Sequence, residues 1–209
     1  EQATRYYQQI IPRSKGLVFD IGANVGDLSA VFLAMGHTVV ACEPDPGNFR
    51  ILQARFSGTK NVILLPKAVA QHRGEGLIFM AAAHGGSLST LSDKRRQQLE
   101  GIKDEEGVIS FGEGSLVGLI SLDDMIAAYG LPEYIKIDVE GFELQVLSGL
   151  SKRVPLLSFE ANLPQFMEET MGCLRLLNVL DNQAVFNAST DDRELVFDQF
   201  QCYEIFLDW

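Results

Sequence analysis

Residues 16–70 alternate short apolar runs with stretches of helical spacing, and this rhythm limits the chain to very few folds. "GLVFDIG" (16–22) is an apolar run ending in Asp and Gly, which predicts a buried strand. In "DLSAVFLAMG" (27–36), Leu28, Val31, Phe32 and Met35 recur at helical spacing and Gly36 stops the helix. "TVVACE" (38–43) is the next strand. "DPGNFRILQARF" (45–56) opens with Asp45 as N-cap and Pro46 at the first helical position. "NVILLPKAVA" (61–70) makes a third strand. Strand, helix, strand, helix, strand implies an α/β protein with a mostly parallel, doubly wound sheet.

Beyond residue 70 the rhythm breaks and then returns. "GLIFM" (76–80) predicts a short extra strand. Residues 84–115 are rich in Gly, Ser and charge and too long for an ordinary connection, so they read as a lid, a small helical insert or a mobile loop. "SLVGLISLDDMIAAYG" (115–130) reads as strand then helix, with Ser121 and Asp124 at capping-box spacing. "EYIKIDVEG" (133–141) and "PLLSFEAN" (155–162) are strands, and "FELQVLSGL" (142–150) and "LPQFMEETMGCLRLLNVL" (163–180) are helices. The tail, "AVFNAS", "ELVFDQF" and "CYEIFLDW", reads as antiparallel strands. With no repeat and no linker, residues 1–209 form one domain.

Composition narrows the partners. A net charge of -11 repels a phosphate backbone, so no nucleic-acid partner is expected. The basic cluster "DKRR" (93–96) reads as a solvated helix face. Cys42, Cys173 and Cys202 fit no zinc spacing and read as reduced thiols in a cytoplasmic protein. No apolar run reaches the roughly 18 residues that a membrane span needs.

Chemistry first shows in "FDIGANVGD" (19–27), which joins the first strand to the first helix. Gly22 and Gly26 let the backbone turn tightly and approach a ligand, and Asn24 tolerates a positive φ. Glu43 ends the second strand, 21 positions after Gly22, where an acid accepts hydrogen bonds from a ribose diol. A dinucleotide site prefers G-x-G-x-x-G. Here the pattern is acid-x-Gly-x-Asn-x-Gly, and Asp20 stands where a cofactor with an amino-acid tail places its ammonium. That favours S-adenosylmethionine over a nicotinamide dinucleotide.

"VFDIGANVGDLS", "ACEPDPGNF", "SLDDM" and above all "YIKIDVEGFELQVLSGL" resemble the FkbM-type methyltransferases over residues 17–162. The resemblance implies a class I, Rossmann-like methyltransferase fold with S-adenosylmethionine as donor and S-adenosylhomocysteine as product. It implies O-methylation of a hydroxyl on a sugar, polyketide or other small metabolite. Asp20, Gly22, Ala23, Asn24, Gly26 and Glu43 would line the cofactor site, Pro44 and Asn48 would lie beside the adenosine, and Ala68 and Val69 would flank the adenine. A nicotinamide-dependent oxidoreductase and a catalytically idle cofactor-binding module are the alternatives.

Lys136, Asp138 and Glu140 share one face of a strand, by period-two spacing. On an edge strand that face would meet water; inside a covered sheet it must run into a site. Asp138 and Glu140 close this strand, and Glu160 with Asn162 closes the next, so they should converge beyond the strand ends. One acid can bind the ammonium, one can take the hydroxyl proton, or a pair can hold a divalent metal, which is not favoured. Glu140 has a rival role as cap of the helix near Phe142, and Lys136 as counter-ion of the acids. His84, Ser87 and Ser89, in the long insert, are further polar candidates; His37 is structural and His72 lies in a loop.

Overall fold

A computed structural model describes residues 2–11, 15–81, 88–105, 107–190 and 194–208. The chain runs through α1 (Gln2–Ile10), β1 (Leu17–Ile21), α2 (Asp27–Ala34), β2 (Thr38–Cys42), α3 (Pro46–Arg55) and β3 (Val62–Leu65). Next come β4 (Ala68–Val69), β5 (Gly74–Ile78), α4 (Asp93–Leu99), β6 (Ser115–Ile120) and α5 (Leu122–Tyr129). β7 (Tyr134–Ile137), α6 (Glu143–Leu147), β8 (Leu157–Phe159) and α7 (Met167–Leu180) follow. The tail holds β9 (Val185–Phe186), β10 (Ser189–Thr190), β11 (Glu194–Leu195), β12 (Gln201–Cys202) and α8 (Tyr203–Leu207).

The central sheet has the order β3-β2-β1-β7-β8 and every pair in it is parallel. Chain order therefore reverses between β1 and β7, and this switch point is where an open α/β sheet leaves a crevice at the strand ends. Alternate residues feed two cores. Phe19, Ile21, Ile135 and Ile137 pack with Met125, Val146 and Leu174 from α5, α6 and α7. Val18, Val39 and Tyr134 pack with Tyr7, Phe32 and Leu52 from α1, α2 and α3. The rings of Tyr7 and Phe32 meet edge-on at 5.0 Å, and Phe32 meets Tyr134 at 5.8 Å, fastening α1 and α2 over the sheet. β7 is thus covered on both faces, and the edge-strand alternative does not hold.

Three sequence expectations need correcting. The run 61–70 is two strands in two sheets. Pro66 cannot donate to a ladder, and after it β4 leaves β3 to pair with β6, which also pairs antiparallel with β5. The strand expected over 133–141 ends at Ile137, so Asp138 and Glu140 belong to a turn. "CYEIFLDW" is mostly helix: Tyr203 and Phe206, three apart, both pack on Phe186 at 5.9 and 5.7 Å, which a strand could not arrange. The other tail strands pair antiparallel as expected, in two small ladders apart from the central sheet. The insert carries α4 within 84–115. No described helix is long and apolar enough to cross a membrane.

The capping box at α5 is complete: Ser121 Oγ accepts from the Asp124 amide at 3.1 Å, and Asp124 Oδ2 accepts from the Ser121 amide at 3.2 Å. Ser121→Ala should cost about 1 kcal/mol and lower Tm by roughly 2–4 °C in a thermal melt.

Candidate functional site

Two strand ends meet at the switch point. After β1 the chain turns through Gly22 (φ 76), Asn24 (φ 51) and Gly26 (φ 86) into α2. Gly22 is obligatory, since a Cβ there would lie 1.8 Å from the carbonyl oxygen of Asp138. The loop is also tied to β2: Gly22 and Ala23 amides donate to the Cys42 carbonyl at 3.0 and 2.9 Å. Glu43 completes the tie. Its Oε2 accepts from the Asn24 amide and its Oε1 from the Asp45 amide, both at 2.8 Å. Burial pushes the Glu43 carboxyl up to about 7, against the pull of these two amides.

Beneath the loop lies a chain of charges. Asp20 is fully buried; Ser29 Oγ donates to its Oδ2 at 2.6 Å, while its Oδ1 accepts no hydrogen bond from a described residue and lies 3.8 Å from Lys136 Nζ. Lys136 Nζ also reaches the Gly22 carbonyl at 3.3 Å and Asp138 Oδ2 at 3.1 Å. Burial raises the Asp20 pKa, with Lys136 opposing. Period two puts Asp20 and Lys136 on the face covered by α1 and α2, in register across β1 and β7. The charged stripe in "IKIDVEG" is explained by this pairing and by the cleft above it.

The cleft takes its walls from both halves of the sheet. Gly22, Ala23, Asn24, Glu43 and Pro44 line one side; Asp138, Val139, Glu140 and Phe142 line the other; Ala68 and Val69 also line it. Asp20, Gly26 and Asn48 are not in the lining. Asp20 is sealed below by Lys136, Gly26 packs toward Leu52 and Phe56, and Asn48 is buried in the first turn of α3. Glu160 stands exposed at the rim beyond β8, where Asn162 Nδ2 donates to it at 2.8 Å.

Asp138, Glu140 and Glu160 each bring one carboxylate oxygen within 4.8 Å of the others. Desolvation, then the Glu160 charge, pushes Glu140 up to about 7, while desolvation and Asp138 raise Glu160. Lys136 already holds Asp138, and Arg95 holds Glu140 through Nε at 3.1 Å and Nη2 at 2.8 Å. Two of the three ligands a metal would need thus have protein counter-ions.

Sequence reasoning missed three residues. Arg95 lies in "DKRR", yet it faces Glu140, while Lys94 pairs with Glu169 and Arg96 with Asp93. The spacing gave no signal, because nothing local tells which helix face meets a distant turn. Thr90 Oγ1 donates to the Glu140 carbonyl at 2.7 Å. Glu143, not Glu140, holds the turn before α6: its Oε1 accepts from the Val139 and Gly141 amides, both at 3.2 Å. Ser89 Oγ donates to Asp45 Oδ2 at 2.9 Å. His84 and Ser87 lie outside the described residues. His37 is buried just before β2, and His72 is exposed in a bend.

A model of the methyltransferase FkbM domain matches residues 20–184. No curated protein matches the chain in sequence. Among solved structures, a precorrin-6y C5,15-methyltransferase from Geobacter metallireducens aligns at 10% identity and a TM-score of 0.48, covering 95% of this chain and 82% of that one. That likeness is too distant to bear on function.

Lys136→Met should destabilise the fold by about 3–5 kcal/mol in denaturant titration, because it strands the buried Asp20 carboxylate. A carboxyl whose folded pKa lies above its unfolded value loses stability as pH rises through that window. The variant's deficit should therefore widen as pH climbs above the ordinary Asp value of 3.8.

Proposed function

The chain belongs to the FkbM methyltransferase family, and from that premise we propose that it transfers a methyl group from S-adenosylmethionine to a hydroxyl of a small acceptor such as a sugar or polyketide. One observation carries the reading: a cleft at the sheet's switch point has Glu43 at one end and Asp138 and Glu140 at the other, with Glu160 at its rim. The first suits a ribose, and the second suits an ammonium and a reacting hydroxyl.

The residues fit such a donor. Glu43 accepts two amides and keeps further lone pairs for a ribose diol. Ala68 and Val69 offer an apolar wall for adenine, beside Pro44. Gly22, Ala23 and Asn24 present backbone to the cleft, as a close approach requires. Asp138, steadied by Lys136, is the acid for the ammonium, and Asp20 supports it from below. Bound S-adenosylmethionine would supply an activated methyl on a sulfonium, whose C–S electron pair would return to sulfur as the acceptor oxygen takes the methyl, leaving S-adenosylhomocysteine.

The protein's share is positioning and proton removal. One acid of the trio takes the hydroxyl proton. No divalent metal is needed for this, since Arg95 and Lys136 already offset two of the carboxylates. The described start of the insert serves as a cover: Ser89 touches Asp45 beside Glu43, and Thr90 touches Glu140 at the opposite end.

S-adenosylhomocysteine should raise Tm where NAD does not, and methyl transfer to a panel of hydroxylated acceptors separates an enzyme from an idle binding module. Glu43→Ala should weaken S-adenosylhomocysteine by about 1–3 kcal/mol in calorimetry; unchanged affinity with an intact fold would count against the assignment. Among Asp138→Asn, Glu140→Gln and Glu160→Gln, the base variant should lose about 10²–10⁴ in turnover and still bind the product. The ammonium variant should lose product affinity instead.

A further inference from the structure

We infer that Arg95 is a positioning residue for the reaction: it clamps one carboxylate oxygen of Glu140 and leaves the other, Oε1, as the acceptor of the substrate's hydroxyl proton. The inference rests on the methyltransferase reading above and assigns the base within it. Both guanidinium contacts, Nε at 3.1 Å and Nη2 at 2.8 Å, go to Oε2, and Oε1 accepts no hydrogen bond from a described residue. A fork spent on one oxygen fixes the plane of the carboxylate without covering its second oxygen. Glu140 lines the cleft, whereas Glu160 stands outside the lining.

The backbone is held as firmly as the side chain. Glu140 has φ 54, a left-handed conformation that a glutamate adopts only under constraint. Thr90 Oγ1 donates to its carbonyl at 2.7 Å and in turn accepts from the Ser92 amide at 2.9 Å. Ser92 Oγ accepts from the Arg95 amide at 3.2 Å, so the cap of α4 and the clamp on Glu140 form one connected unit. Lys94 anchors α4 from its other side, on Glu169 at 2.6 Å and over the Phe166 ring at 4.6 Å. A Cβ on Gly141 would meet Phe166 at 2.7 Å and the Arg95 Cβ at 3.3 Å, so helix and turn are in close contact.

The charges that act on Glu140 are Glu160 after β8, Arg95 on α4 and Asp138 after β7. Lys136 on β7, Glu143 on α6, and Lys94 on α4 with Glu169 on α7 have partners of their own. Asp138 has Lys136, Glu143 has two backbone amides, and Glu169 has Lys94. Glu140 is pulled two ways: burial and the neighbouring acids favour its proton, and Arg95 opposes them. The balance, about 7, is where a general base is effective at neutral pH. The proton leaves the acceptor hydroxyl for Oε1 as the oxygen bonds to the methyl carbon. It then passes to solvent.

The test is a titration of the Glu140 side-chain carboxyl by carbon-13 NMR in the ligand-free protein, with the signal assigned by Glu140→Gln. Arg95→Gln should raise the midpoint by about one pH unit or more, since it removes an opposite charge in contact. A base must be ionised, so the low-pH limb of turnover should move up by the same amount, about fivefold less activity or more at pH 7, with S-adenosylhomocysteine affinity unchanged. Arg95→Lys keeps a charge without the fork and should restore part of the midpoint but little of the turnover. An unmoved Glu140 midpoint in Arg95→Gln overturns the inference, as does Arg95→Lys behaving like the parent in both measurements. If Glu140→Gln turns over normally while the Arg95→Gln midpoint moves, the clamp exists but Glu140 is not the base. If no variant and no parent transfers methyl, the failure belongs to the methyltransferase reading itself.

Discussion

Burying the Asp20 carboxylate inside a sheet covered on both faces is the constraint from which the rest of the site follows. A charge without solvent must be paired or protonated, and its neighbour in register, Lys136, is the available cation. Lys136 is itself nearly enclosed, and it also reaches the Gly22 carbonyl and Asp138, both in the loops above. One ammonium thus couples the floor of the cleft to its two opposing lips. The close approach of Gly22 to the Asp138 carbonyl fits the same picture: the lips touch through backbone because no side chain intervenes.

From this floor the cleft divides into two electrostatic regions. Around Glu43 the negative charge is met by backbone amides, which orient a carboxylate without neutralising it. Around Glu140 it is met by guanidinium, ammonium and other carboxylates, so proton affinities there are set by competition. The helix supplying the guanidinium is inserted between β5 and β6, outside the central sheet. The region that departs from the strand–helix alternation therefore bears on the Glu140 end of the cleft through Arg95 and Thr90 and on the Glu43 end through Ser89 and Asp45.

Some elements escape a linear reading for local reasons. Pro66 interrupts what looks like one apolar strand, and only the pairing partners show that β4 has joined β6. Tyr203, Ile205 and Leu207 alternate as an amphipathic strand would, and only the contact of both Tyr203 and Phe206 with Phe186 shows the helix. "DKRR" has the composition of a solvated face, and three of its charges do pair near the surface; Arg95 differs because the chain folds its side of α4 against the turn at Glu140. Glu143 has the spacing of a plain helix residue, yet its carboxylate organises the backbone of the turn before it.

The sequence by itself determined the parallel alternation, the glycine turn after the first strand, the acid at the end of the second and the charged stripe in "IKIDVEG". These are written in periodicity and in residue types whose backbone freedom or charge is local, so a linear reading recovers them. Only the tertiary structure decided that Asp20 lies under the cleft rather than in it, that Glu140 sits in a left-handed turn, and that Arg95 is its partner. Those facts depend on contacts between residues 45 or more positions apart, whose strength comes from mutual burial. Burial is a property of the packed sheet and its helices, and no stretch of sequence carries it alone.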